Sequence, residues 1–140
     1  IRDSIYMPDM KYASAQIART YSKIRRYPEV NKAAVREMHR QVGDLQIDQD
    51  GLATRGLLIR HLVLPYGLAG TQEIVRFLAE EISKDTYLNL MDQYRPAFNA
   101  GQFAKLKRPV KREEYQEAVQ MASEAGLNRL DERRAFIWRR

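Results

Sequence analysis

The chain alternates between two hydrophobic patterns, one with the period of a β-strand and one with the period of an α-helix. Its most apolar stretch runs from Gly56 to Pro65 and consists mainly of leucine, isoleucine and valine. A run of this kind, bounded by glycine and proline, is typical of a parallel strand that is buried on both faces. Arg60 and His61 interrupt the run. Because successive strand side chains point to opposite faces, we expect one polar side chain on each face of this central strand.

Arg60 is the more costly of the two to bury, because its parity places its charged side chain with Leu58 and Leu62 on one face of the strand. An unpaired guanidinium in a barrel interior is very costly. A buried Arg60 therefore needs an anionic partner. That partner is either a bound ligand or an acidic side chain in a structural ion pair between strand and helix, and the sequence favours neither.

The stretches between the strand-like runs include segments with the helical period. Pro28 is placed to open one helix, whose apolar side includes Val30 and Met38, and Gly43 is placed to end it. The polar segment that follows, 44–55, is interpreted as a turn region. Thr71 is expected to cap the next helix.

Two further segments, 3–8 and 86–91, alternate like strands, and a short terminal strand is expected at 127–130 after a last helix. Strands that alternate with helices indicate a parallel sheet with right-handed crossovers. We predict that segments 3–8, 57–64 and 86–91 are parallel neighbours in one sheet. Because three such strands do not make a complete domain, the expected fold class is α/β, either half of a TIM-like (β/α) barrel or an open sheet completed by other residues.

Polar residues near the ends of these strands form the candidate site. Asp9 and Lys11 continue the parity of the first strand beyond its end, so their side chains are expected to point toward the same mouth. Asn89 and Gln93 share the face of the third strand that is opposite its leucines. Because parallel strands place their carboxyl ends on one side of a barrel, we expect Asp9, Lys11, Arg60, Asn89 and Gln93 to converge there.

The composition limits what the chain can do. Its 140 residues fit one domain but are few for a closed barrel, and the start at Ile1 suggests the C-terminal part of a longer protein. Zero cysteines exclude disulfides and thiolate metal sites within these residues. The sequence shows no apolar run long enough to span a bilayer and no leader, so the cytoplasm is the expected setting.

The formal net charge of +6 raises the alternative of a basic nucleic-acid-binding module. The basic residues are spread along the chain with acidic residues among them, which is typical of solvated surfaces. Recognition motifs for nucleic acids do not accompany the charge, so we expect no specific nucleic-acid partner. A non-catalytic α/β interaction domain is a third possibility that the sequence leaves open.

Four segments together resemble a known family. Asp9-Met10-Lys11 after an apolar strand, Gly56 to Pro65, Tyr87 to Pro96 and Arg112 to Tyr115 resemble the C-terminal half of radical S-adenosylmethionine proteins. The most similar branch is related to the pyruvate formate-lyase activating enzymes. The resemblance covers the chain to about Gly126. It implies that the chain belongs to a partial (β/α) barrel whose N-terminal, cluster-binding half is absent here.

The resemblance also implies an activity for the full-length protein. In that family a 4Fe–4S cluster on a Cys-x3-Cys-x2-Cys loop cleaves S-adenosylmethionine reductively, and the 5′-deoxyadenosyl radical takes hydrogen from a glycine of a partner enzyme. The expected partners are therefore a glycyl radical enzyme or another protein substrate, and an electron donor such as flavodoxin or ferredoxin. This chain has no cysteine to bind the cluster, so we expect it to be inactive alone.

The resemblance assigns ligand contacts to particular residues. Lys11 suits the methionine carboxylate of the cofactor, and Arg60 would bind that carboxylate or a substrate acid. The adenosine side is expected to contact residues from the third strand and the loop after it. The implied cofactor-binding set is Asp9, Lys11, Arg60, Asn89, Gln93 and Tyr94.

Overall fold

The computed structural model describes residues 4–10, 27–92 and 108–131 of the chain. Lys11, Gln93 and Tyr94, three of the predicted cofactor contacts, lie outside these ranges. The described part is a mixed α/β structure in which helices connect the strands of a sheet. The strands are β1 (Ile5–Tyr6), β2 (Gln46–Ile47), β3 (Ala53–Leu62), β4 (Tyr87–Met91) and β5 (Arg129–Asp131). The helices are α1 (Tyr27–Val42), α2 (Thr71–Phe77), which continues into a π-helical turn (Leu78–Ile82), and α3 (Arg112–Ala125).

The sheet is parallel along its main path. The strand order is β1-β3-β4-β5, and each neighbouring pair in this order is parallel. The predicted arrangement of segments 3–8, 57–64 and 86–91 is therefore confirmed. β5 lies close to the expected terminal strand. β2 corrects the interpretation of segment 44–55 as a turn, because it pairs antiparallel with β3. A strand of two residues is too short to show alternation in the sequence.

The described helices pack on one face of the sheet. On β3 this face carries Leu57 and Ile59, and on β4 it carries Leu88 and Leu90. The helical residues of the same buried cluster are Val35 and Val42 of α1, Ile74, Val75 and Phe77 of α2, Leu78 and Ala79 of the π-helical turn, and Ala118 and Ala122 of α3. The strand order does not reverse along β1-β3-β4-β5. Right-handed crossovers along such a sheet bring successive helices to the same side.

Helix α1 begins and ends where its proline and glycine predict. It starts one residue before Pro28, and the residue after its end, Gly43, has a left-handed backbone with φ 73°. The predicted apolar side is wrong at Val30, which is 61% exposed, whereas Val35 is fully buried. Met38 packs against the core as expected. Val35 is five positions after Val30, which corresponds to a rotation of about 140° around a helix, so the two valines cannot share one face.

Thr71 does not cap α2, contrary to the prediction. Gly70 holds the cap position with φ 68°, and Thr71 is the first helical residue. The Thr71 hydroxyl lies 2.9 Å from Nε2 of His61 in the protein core. It therefore takes part in a long-range contact, which local cap patterns do not reveal.

Gly56 allows two segments of the backbone to approach each other closely. Its φ is 113°, and a Cβ atom there would collide with the backbone of Asp44 and Leu45. The next residue, Leu57, donates its backbone N–H to the Gly43 carbonyl over 3.0 Å. Glycine at this position thus lets the end of α1 lie directly against β3.

Within the described ranges, the helices are all too short or too polar to cross a membrane.

Candidate functional site

A row of four polar residues crosses the sheet on the face away from the described helices. Asp9 pairs with Arg60 in an isolated parallel bridge, Arg60 lies beside Asn89, and Asn89 lies beside Asp131. Neighbouring strands are about 5 Å apart, and residues in register share a face. We call Asp9, Arg60, Asn89 and Asp131 the polar row. It lies near the carboxyl ends of β3, β4 and β5.

At one end of the polar row, Arg60 and Asp9 form a partly exposed ion pair. Nε of Arg60 lies 3.6 Å from Oδ1 of Asp9, and the two side chains are 40% and 45% exposed. Nη2 of Arg60 also lies 3.6 Å from Sδ of Met91. A pair with this exposure contributes at most about 1 kcal/mol to folding. Arg60 is therefore not enclosed as the central-strand pattern suggested, and its acidic partner comes from the segment after β1 and not from a helix.

The other end of the polar row is buried and hydrogen-bonded. Asn89 is fully buried, and its Nδ2 donates to the Asp131 backbone carbonyl over 3.3 Å. The Tyr87 hydroxyl donates to Oδ2 of Asp131 over 3.0 Å, and Asp131 is 7% exposed. Buried amides and carboxylates need such partners. The polar row thus combines an accessible pair of charges with a buried, hydrogen-bonded end.

His61 faces the helices and is fully buried. Its Nδ1 lies 2.5 Å from the Met10 carbonyl oxygen, and its Nε2 lies 2.9 Å from the Thr71 hydroxyl. A carbonyl oxygen can only accept, so Nδ1 carries the proton and Nε2 accepts from Thr71. Burial lowers the pKa of His61 to about 4, against a smaller opposing effect of the Met10 carbonyl. His61 is therefore neutral at pH 7.

A carboxylate joins the loop after β3 to the start of α3. Glu114 accepts from the Tyr66 N–H over 2.7 Å and from the Lys111 N–H over 2.8 Å. It also accepts from both terminal nitrogens of Arg108, over 2.8 and 3.0 Å. These donors, Arg108 above all, lower the pKa of Glu114 to about 2. Tyr66 has a left-handed backbone with φ 59°, and the Arg108 guanidinium lies 4.3 Å from its ring centre. These contacts hold the loop to the start of α3.

The structure brings together three of the six predicted cofactor contacts. Asp9, Arg60 and Asn89 are members of the polar row, as their parity and strand positions predict. The other three lie outside the described residues. The sequence pattern did not indicate Asp131 or Tyr87 as site residues. The sequence does contain a signal for Asp131, which directly follows the predicted strand at 127–130. If the strand continues, its alternation places the side chains of residues 129 and 131 on the same face.

The described residues do not fit an iron–sulfur cluster. Cysteine thiolates hold the iron of such clusters, and the chain has no cysteine. In the part of the chain that the structure covers, no group of three or more histidine, aspartate or glutamate side chains is arranged to hold a metal ion. The exposed end of the polar row fits a zwitterion better, because Arg60 can bind a carboxylate and Asp9 an ammonium group.

Comparison with known proteins identifies an archaeal relative. An uncharacterised protein of Methanocaldococcus jannaschii is 25% identical over 125 residues, which make up 89% of this chain and 32% of that protein. The chain thus spans about a third of the length of this relative. Protein-family models do not match the chain. Solved structures do not match it either.

Proposed function

We propose that this chain is the C-terminal half of the partial (β/α) barrel of a radical S-adenosylmethionine protein, related to the activating enzymes of glycyl radical enzymes. The observation that carries the proposal is the polar row. It places Asp9, Arg60 and Asn89 side by side near the carboxyl ends of parallel strands, on the face away from the described helices. Enzymes with a parallel barrel bind their substrates and cofactors at that end.

The winding of the sheet supports a barrel. Strands β1, β3, β4 and β5 follow one another in space in the order of the sequence, and the described helices share one side. A doubly wound sheet reverses its strand order and has helices on both faces. A barrel keeps one direction and encloses the second face. In such a barrel the polar row would line the interior.

The charges of the polar row suit the methionine part of S-adenosylmethionine, which carries a carboxylate and an ammonium group. Arg60 would bind the carboxylate and Asp9 the ammonium group, each through a charge-assisted hydrogen bond. The ion pair between these side chains is loose, at 3.6 Å, so breaking this pair costs little when both side chains bind a ligand. Lys11, in the motif that carries the resemblance, would add a second cation for the carboxylate.

The adenosine side would be bound by the third strand and the loop after it. Asn89 would contribute there from a buried position, together with Gln93 and Tyr94. The cluster would be bound by cysteines outside this chain, and when bound it supplies the electron that cleaves the cofactor. This chain is therefore inactive alone. The partner glycyl radical enzyme and the flavodoxin or ferredoxin donor belong to the same proposal.

The test is calorimetric titration of the full-length, anaerobically reconstituted protein with S-adenosylmethionine. Lys11→Ala and Arg60→Ala should each weaken binding by about 10- to 100-fold, because each removes a charge-assisted hydrogen bond to the carboxylate. Arg40→Ala is the matched control. Arg40 is an exposed arginine of α1 that pairs with Glu37, so this variant should bind like the wild type.

Two results would count against the proposal or one of its parts. A wild-type protein that neither binds S-adenosylmethionine nor forms 5′-deoxyadenosine on reduction with dithionite would overturn the function. Equal affinities of Arg60→Ala and Arg40→Ala would remove Arg60 from the site while leaving the function in place.

A further inference from the structure

His61 places a polar ring among apolar side chains that join β3 to the helices. Ile59 and Val63, its neighbours on the same side of the chain, are buried members of the hydrophobic cluster. An apolar residue at position 61 would avoid the cost of burying two ring nitrogens. His61 is instead hydrogen-bonded through both nitrogens, to Met10 and to Thr71. The positions of these two partners therefore indicate its role.

Both partners lie near the carboxyl ends of the parallel strands. Met10 directly follows Asp9 of the polar row and precedes Lys11, and Thr71 is the first residue of α2. The backbone already holds the segment after β1 against β3. The Arg60 N–H donates to the Pro8 carbonyl over 3.0 Å, and the Met10 N–H donates to the Arg60 carbonyl over 2.9 Å. His61 adds a side-chain hydrogen bond to the carbonyl of Met10, the residue directly after Asp9 of the polar row.

We propose that His61 is a positioning residue for the cofactor site. As the neutral tautomer with the proton on Nδ1, it holds the Met10 carbonyl and thereby keeps the segment that carries Asp9, the preceding residue, against β3. The Thr71 hydroxyl, which donates to Nε2, orients the ring. The role in cofactor binding rests on the proposed function, whereas the tautomer and the hydrogen bond do not.

The first experiment determines the tautomer in the full-length wild-type protein. Long-range proton–nitrogen NMR spectra of protein labelled with ¹⁵N-histidine distinguish the two ring nitrogens, and the His61 signals are those that disappear in His61→Asn. The proposal expects a protonated Nδ1 and an unprotonated Nε2 at pH 7. The opposite tautomer would overturn it, whatever the variants do.

The second experiment compares variants by titration with S-adenosylmethionine. His61→Leu removes both hydrogen bonds and should weaken binding at least tenfold. His61→Asn can place an amide N–H where the histidine carries its Nδ1 proton, so its affinity should stay within about threefold of the wild type. Leu88→Ala is the matched control, because it destabilises the same core without a polar contact to the site, and it should bind like the wild type.

Each outcome decides the inference. Equal affinities of His61→Leu and Leu88→Ala, or of His61→Leu and His61→Asn, would overturn it. If the wild-type protein binds no S-adenosylmethionine, the proposed function fails, and hydrogen exchange of the Met10 amide replaces the titration. That amide should exchange at least tenfold faster in His61→Leu than in Leu88→Ala, and equal rates would overturn the inference. If His61→Leu does not fold, His61→Asn and the wild-type tautomer decide.

Discussion

Arg60 and His61 are adjacent in the sequence, yet the sheet gives them opposite surroundings. Arg60 keeps contact with solvent and lies near Asp9, whereas His61 is fully buried among the helices. The alternation of a strand is sufficient to predict that the two side chains separate. It is not sufficient to predict which of them is buried. That depends on which face of the sheet the helices cover, and the packing of all strands and helices together determines this face.

The burial of His61 makes the stability of the protein depend on pH. The pKa of His61 is about 4 in the folded protein, against an ordinary value of 6.5. Above pH 6.5 the residue is neutral in both the folded and the unfolded chain and contributes no pH dependence. Below pH 6.5 the unfolded chain takes up the proton first, which favours unfolding until the pH falls through 4. Between pH 7 and pH 5 the free energy of unfolding should decrease by about 2 kcal/mol through this residue.

Urea denaturation of the wild type and of His61→Asn at pH 7 and pH 5 measures this contribution. The variant should lose about 2 kcal/mol less than the wild type, because asparagine does not titrate. Leu88→Ala is the control, since it destabilises the same core and leaves every titratable group in place, so its pH dependence should stay close to that of the wild type. An unchanged pH dependence in His61→Asn would contradict the prediction.

At the scale of helices and strands, long periodic segments were predicted well and short or long-range features were not. Pro28 and Gly43 predicted the bounds of helix α1. The prediction of its buried side was wrong at Val30, because apolar residues occur along more than one side of this helix. Thr71 was misread as a cap because its hydroxyl bonds to a strand ten residues earlier in the sequence. Such a contact exists only once the chain is folded, and no local pattern signals it.

The candidate site was predicted to the extent that strand parity determines it. Asp9, Arg60 and Asn89 fall on one face because each follows the alternation of its own strand. Asp131 was not identified, because β5 has only three residues and its register with β4 exists only once the chain between the two strands is folded. The register, and not the residue type, places Asp131 beside Asn89.

Helix α3 provides a prediction at this scale. Glu114 supports the first turn of α3 and the loop at Tyr66, so Glu114→Gln should lower the free energy of unfolding by about 2 kcal/mol at pH 7. The pKa of Glu114 is about 2, below its ordinary value of 4.5. The stabilisation is therefore complete above pH 4.5 and is lost as the pH falls toward 2. Urea denaturation at pH 7 and at pH 3 measures both effects.

The neighbouring Glu113 provides the control. It lies in the same first turn and is exposed, so Glu113→Gln should change the free energy of unfolding by less than about 0.5 kcal/mol. If the two variants have equal stability, the hydrogen bonds of Glu114 do not hold the loop to the helix.

For the molecule as a whole, the net charge of +6 is a poor guide to its partners. In the described ranges, several basic residues pair with carboxylates, so their charges are partly neutralised. These pairs are Arg36 with Glu81, Arg40 with Glu37, Arg60 with Asp9 and Arg108 with Glu114. Arg36 and Arg40 lie on α1, Arg60 on β3 and Arg108 before α3, so these pairs are spread over three parts of the fold. A protein that binds nucleic acids through phosphates needs basic residues gathered on one surface.

We therefore expect this chain to bind nucleic acid weakly and without sequence preference. At physiological salt the Kd for a short oligonucleotide should exceed about 1 μM, which is within the range of non-specific binding. Because few phosphates can be neutralised together, the logarithm of the affinity should fall with that of the salt concentration with a slope no steeper than about −3. Fluorescence anisotropy with a defined oligonucleotide and its shuffled counterpart, at several salt concentrations, measures both quantities. Submicromolar binding that distinguishes the two oligonucleotides would instead support the nucleic-acid-binding module, and the polar row would then need another explanation.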